Sequence, residues 1–187
     1  LTAYGKNVLI NSKSRNAWWL SKCFWAVSCV FTYFILMWVI IIIFCVCGAG
    51  KLTLNVSKPL IFKMIPMPSE NVFLSEGDLF SNRYLTCQML LMPFLIVSAL
   101  SVMQMAVSLV IKPFFSFCIS AGILVLSAYY LNPLLLGNYA MSQRNDLLID
   151  NGVNTKTGIV FSLALLVLSC VVGLFIFRRY DILNKED

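Results

Sequence analysis

The chain has 187 residues, 60% hydrophobic and only 12% charged, with a mean hydropathy of +0.86, against roughly 25% charged residues in an ordinary soluble domain. That balance excludes a soluble globular domain and points to long segments held in lipid. The absence of histidine removes the commonest general base and metal ligand, and the net charge of +6 sits beside apolar runs, where it reads as membrane orientation rather than nucleic-acid binding.

Ahead of the first apolar run lie Lys6, Lys13, Arg15 and Lys22 with no acidic residue, and Trp18, Trp19 and Trp25 cluster where that run begins. NSKSRNAWWLSKCFW reads as a basic, aromatic helix in the membrane interface, a surface that also suits docking to a partner. The run itself, 24–47, is charge-free and predicts a first span; it is too long and starts too late for a signal peptide.

Gly48-Ala49-Gly50-Lys51 follows and resembles a phosphate-binding loop only superficially. A Walker loop needs a glycine five residues before the Gly-Lys pair and a hydroxyl residue after it; here these are Cys45 and Leu52. The preceding element is a membrane helix rather than a strand, so the glycines read as a helix end and the chain carries no nucleotide site.

Further apolar runs at 84–111, 114–131 and 157–177 predict three more spans, the second of these following the first after only Lys112-Pro113, as a tight helical hairpin. The fold class expected is an all-α integral membrane protein, a single domain of four transmembrane helices with a re-entrant outer segment before the last. Arg178-Arg179 and the basic start place both termini in the cytoplasm and the loops 48–83 and 132–156 outside. No span holds an acidic or basic residue, which removes the groups that ion-coupled transport, voltage sensing and most intramembrane catalysis require. No catalytic residue and no metal ligand set can be named.

Within the spans, Ser98, Ser101, Gln104 and Ser108 fall at helical spacing on one face. They suit close helix packing or a weakly polar lining for an amphipathic substrate; Gln104 stands out because an amide in lipid needs a partner. Ser116, Ser120 and Ser127 in the third span, and Ser162, Ser169 and Gly173 in the fourth, repeat the pattern. In 131–154, LNPLLLGNYAMSQRNDLLIDNGVN, an apolar stretch after Asn132-Pro133 is broken at Gly137, which predicts a short helix dipping into the outer leaflet, as an outer gate or as part of a plain outer loop; Asn132, Pro133, Gly137 and Arg144 are the outer-gate candidates. Of the seven cysteines most lie in apolar runs and read as packing, with a pairing of Cys45 or Cys47 to Cys87 as the alternative.

Three of these pieces, in this order, resemble the membrane permease subunit of a type-2, exporter-class ABC transporter of the kind used in bacterial peptide and bacteriocin export or self-immunity. They are Ser14–Lys22 entering a span, Asn132-Pro133-Leu134-Leu135-Leu136-Gly137 before the last span, and the ending Phe177-Arg178-Arg179-Tyr180-Asp181-Ile182-Leu183. The resemblance implies a multi-pass protein of the cytoplasmic membrane that exports a peptide, lipid-like or other amphipathic substrate. Its partners would be a cytoplasmic ATPase subunit holding Mg-ATP, a second permease copy or homologue, and the lipid bilayer, with no nucleic acid and no cofactor in this chain. It also implies ATPase contact through Arg15, Trp18, Trp19 and Lys22. Permeases of that class carry two more spans than are read here, so the chain is expected either to lack the first two or to be a shorter variant that assembles with another subunit. The alternative from a different class is a non-transporting four-span scaffold or immunity protein that binds a partner.

Overall fold

The computed structural model describes residues 14–49, 83–146, 149 and 151–179, with side chains of the second helix described from Gln88 onward. Residues 50–82, which hold most of the first predicted outer loop, the Cys87 side chain and the tail after Arg179 lie outside the described residues. Among those described, the chain is helical: α1 (Arg15–Ala49), α2 (Arg83–Val107), α3 (Pro113–Tyr129), the short α4 (Gly137–Ala140), a 3-10 turn (Ser142–Arg144) and α5 (Thr155–Arg179).

Each boundary has a local cause. Ser14 opens α1, accepting the Ala17 N–H on its Oγ at 3.2 Å, which satisfies one of the orphan donors of a first helical turn. α1 therefore begins nine positions before the apolar run at Phe24, and its 35 residues span roughly 50 Å at about 1.5 Å each. It is long enough to cross a bilayer core of roughly 30 Å with its basic, tryptophan-rich turns left over. α2 stops at Val107, short of Ile111, and the chain turns before Lys112, which is held extended at ψ 141; the ring of Pro113 excludes helical geometry at that preceding position. Pro113 then serves as the first residue of α3, where its missing N–H costs nothing. Tyr130 closes α3 in an extended conformation two residues before Asn132-Pro133.

Among the described residues, three helices are long and apolar enough to cross a membrane: α1, the Gln88–Val107 part of α2, and α5. This is the architecture of a membrane protein. α3, with 17 residues, reaches only about 25 Å. α2 and α5 make the most extensive contact, α1 lies against both, and α3 packs on α2 and α4. Because Gly158 meets Met92 while Gly173 meets Trp19, which clusters with Val102 and Ala106, α2 and α5 run in the same direction. α1 runs opposite to them.

The burial pattern is that of helices in lipid. Ser98, Ser116, Ser120, Ser127, Ser162 and Ser169 are buried, whereas Phe24, Phe44, Phe114, Val160 and Phe175 are exposed. Small hydroxylated residues let helix backbones approach, and large apolar ones face outward where no water penalises them. Three of these serines place their hydroxyls on carbonyls, while the Ser98 and Ser162 hydroxyls have no partner among the described residues. Ser120 Oγ donates to Ser116 O at 3.3 Å and Ser127 Oγ to Ile123 O at 2.6 Å. Ser116 Oγ instead donates across to Gln104 O at 2.6 Å, tying the start of α3 to α2. Aromatic edges add to the α1–α2 contact, where Phe31 and Phe34 both meet Phe94 at 5.9 Å.

Candidate functional site

The basic-aromatic start of α1 divides into an inward and an outward face. Trp19, 1% exposed, lies over Gly173 of α5, where any added Cβ would collide with the indole ring. Its Nε1 donates to Cys170 O at 3.0 Å, and its ring stacks on Phe177 with centroids 6.0 Å apart. Trp19 is thus a structural anchor and presents no docking surface. Trp18, one residue earlier, stacks almost flat on the same Phe177 at 4.9 Å and 9°, and the Lys22 ammonium sits 5.4 Å from the Trp18 ring centre, within cation–π range.

Two polar links close this end. Arg15 Nη1 donates to Arg178 O at 3.1 Å, and Arg178 Nε donates to Asn16 Oδ1 at 2.7 Å. Arg15 and Lys22 are exposed and Trp18 is half-buried, so these three of the four predicted coupling residues reach the surface. Sequence reading missed Asn16 and Phe177 as partners; the signal available was an aromatic one turn beyond Gly173, on the same face of α5.

At the opposite end, residues 127–158 build a corner around Arg144. Its guanidinium donates to Ser127 O at 2.5 Å, Ala128 O at 2.6 Å, Tyr130 O at 3.3 Å and the side-chain oxygen of Asn138. These are the carbonyls left unpaired where α3 ends, and a cation there also meets the negative pole of the helix. Asn138, fully buried, donates from Nδ2 to Tyr130 O at 2.9 Å and Asn132 O at 2.8 Å. Tyr139 Oη donates to Pro133 O at 2.8 Å, and burial pushes its phenol above its ordinary value of 10.0.

Glycines make this corner close. A Cβ on Gly137 would stand 2.6 Å from Ser127 Cβ, and one on Gly158 would stand 2.5 Å from the Tyr139 ring. The segment returns to α5 through buried Asn145, whose Nδ2 donates to Thr155 Oγ1 at 2.7 Å, and through a turn in which Asn151 takes a left-handed φ of 64. The four residues Asn132, Pro133, Gly137 and Arg144 are therefore brought into one hydrogen-bonded unit. Asn138 and Tyr139, its central members, were not singled out; an Asn and a Tyr after an apolar break carry no pattern of their own.

The polar face of α2 is only partly assembled. Ser101, Gln104 and Ser108 line a recess of about 280 Å³ with Met105 and Pro113. Ser101 Oγ and Ser108 Oγ donate to Val97 O and Met105 O of their own helix, each at 2.7 Å. Ser98 is not in that recess: it is buried, and its hydroxyl has no partner among the described residues. A separate apolar groove of about 360 Å³ runs between α2 and α5 past Met103, Val107, Leu168 and Val172.

A family model described as "Protein of unknown function (DUF2705)" matches residues 1–183. The chain belongs to this DUF2705 family. No curated protein and no solved structure matches it. Among the described residues of this DUF2705 chain, no three His, Cys, Asp or Glu side chains converge to hold a metal ion. Cys45 and Cys47 are free and exposed. The chemistry the described residues offer is hydrogen bonding and packing at the two ends of the helices.

Proposed function

We propose that this DUF2705 chain is the permease component of an ABC exporter, moving a peptide, lipid-like or other amphipathic substrate and driven by a separate cytoplasmic ATPase. Under this reading the chain has four spans, with α3 completing the crossing together with the segment after Tyr130, and 132–145 forms a re-entrant outer element. Both termini lie in the cytoplasm, in keeping with the basic residues at the start of α1 and the end of α5.

The observation that carries the reading is the division of labour between neighbouring residues at the start of α1. Arg15, Trp18 and Lys22 reach the surface, while Trp19 is locked onto Gly173, Cys170 and Phe177 of α5. An ATPase that grips the outward residues as it closes on nucleotide would move α1, and the Trp19 contact would carry that movement into α5. α5 begins against Tyr139 through Gly158, so the same helix links the coupling end to the corner proposed as the outer gate. The apolar groove between α2 and α5 and the recess at Gln104 offer mixed surfaces suited to an amphipathic substrate or to a second permease chain.

The test is affinity purification of the intact chain from native membranes, with and without Lys22→Glu and Arg15→Glu. The proposal expects an ATP-hydrolysing partner to copurify with the unaltered chain and to be lost, at least tenfold, from the charge-reversed one while the chain itself stays folded. Recovery of the chain with no ATPase, or identical recovery from both forms, overturns it.

A further inference from the structure

Six cysteines with described side chains are free, and four of them, Cys29, Cys45, Cys47 and Cys118, are exposed along helix surfaces. Cys23 and Cys170 differ. Cys23 is 5% exposed and shares the core at the start of α1 with Trp19, Val102, Ala106 and Phe177; Cys170 of α5 packs against that same core and is half-buried. Cys23 and Cys170 thus meet at the α1–α5 contact, beside Trp19. The register is fixed from both sides. Trp19 and Cys23 stand one turn apart on one face of α1, and Trp19 Nε1 is bonded to the carbonyl of Cys170 itself.

We infer that Cys23 and Cys170 form an oxidisable thiol pair, a modification site at which a lipid-soluble hydroperoxide closes a disulfide between α1 and α5. Thiols packed in one core across a helix contact of fixed register meet the first requirement of such a bond, which tolerates only a short Cβ separation. Buried thiols are ordinarily inert because they rarely ionise; here the half-buried Cys170 is open to reagents and the closed Cys23 stands ready behind it. Cys170 lies within the apolar span of α5, so the oxidant that reaches it is one dissolved in lipid, such as an acyl-chain hydroperoxide.

The electrons balance in two steps. The Cys170 sulfur attacks the peroxide, the O–O bond breaks, and the products are Cys170 sulfenic acid and an alcohol. The Cys23 sulfur then attacks the Cys170 sulfur, expelling its hydroxyl, which leaves as water with the Cys23 proton. Two electrons have passed from the thiol pair to the peroxide, and α1 is covalently tied to α5 one turn from Trp19. This site is independent of whether the chain belongs to an exporter.

The experiment uses the full chain in phosphatidylcholine vesicles treated with cumene hydroperoxide, then denatured, alkylated and mapped by mass spectrometry. The expected result is a linked Cys23–Cys170 peptide that appears as both thiols are lost in equal amount and that dithiothreitol reverses. Cys23→Ser should leave Cys170 as sulfenic acid, trapped by dimedone and passing on to sulfinic acid, whereas Cys170→Ser should leave Cys23 alkylatable. The unaltered chain carries the decisive measurement, so misfolding of a variant does not rescue the idea. Oxidised Cys170 accompanied by a free Cys23, or Cys23 linked preferentially to another cysteine, overturns it.

Discussion

Arg144→Ala is the most informative single change at the 127–158 corner. The guanidinium satisfies three carbonyls at the end of α3 and the Asn138 side chain, so its removal strips four acceptors at once. The bonds to Ala128 O and Tyr130 O are exposed and can be replaced by water, whereas those to Ser127 O and Asn138 Oδ1 are partly buried. A hydrogen bond to a charged group contributes about 1.5–3 kcal/mol; counting only the two sheltered ones and allowing for overlap gives a loss of roughly 3 kcal/mol. Arg144→Lys keeps the charge but not the fork, and a point donor cannot reach both faces of the cap, so about half that loss is expected. The assay is SDS-induced unfolding in mixed micelles, with hydrogen exchange across 132–146 to localise the effect. A change under about 0.5 kcal/mol for Arg144→Ala, within the range of ordinary surface substitutions, would refute the reasoning.

Other consequences follow from the same contacts. Trp19→Ala should cost about 3–5 kcal/mol through the cavity left at the α1–α5 contact, read by the same unfolding assay, while Leu20→Ala, on the exposed face, should be nearly neutral. Gly173→Ala should cost about 1–3 kcal/mol by overpacking, and combining it with Trp19→Phe should recover part of the loss. Tyr139 is neutral at pH 7 and its phenol is raised above 10.0 by burial, so its contribution to stability is complete below about pH 10 and falls as pH rises further, because the unfolded phenol ionises first; Tyr139→Phe should flatten that alkaline decline. Asn145→Ala, which orphans Thr155 Oγ1, should lower stability by about 1–3 kcal/mol.

The helical, membrane-crossing character was legible because a charge-free apolar run of bilayer length has few other outcomes. The boundaries were less so. α1 starts at Arg15 because Ser14 caps it, and a search for apolar residues sees only Phe24 onward. The break between α2 and α3 was visible in Lys112-Pro113, but the earlier end at Val107 reflects the turn needed to set Ser116 against Gln104. At the start of α1, the Trp18-Trp19 pair stood out in the sequence, but not as an inward and an outward ring. Which of two adjacent tryptophans turns inward depends on Gly173, far along the chain, and no local pattern encodes that pairing. Similarly, Arg144 could be placed from sequence between the last two apolar runs, whereas its partners Ser127 and Asn138 become evident only once α3 ends beside it.

The claim at the centre of this account is that the chain takes its energy from another subunit through the start of α1. A photo-crosslinking amino acid placed at Lys22, in the intact chain in native membranes, tests it most directly. Capture there of a soluble protein carrying a complete Walker loop, increased by a non-hydrolysable ATP analogue, is the result expected. Capture of lipid alone, or of membrane partners with no ATPase among them, would contradict it.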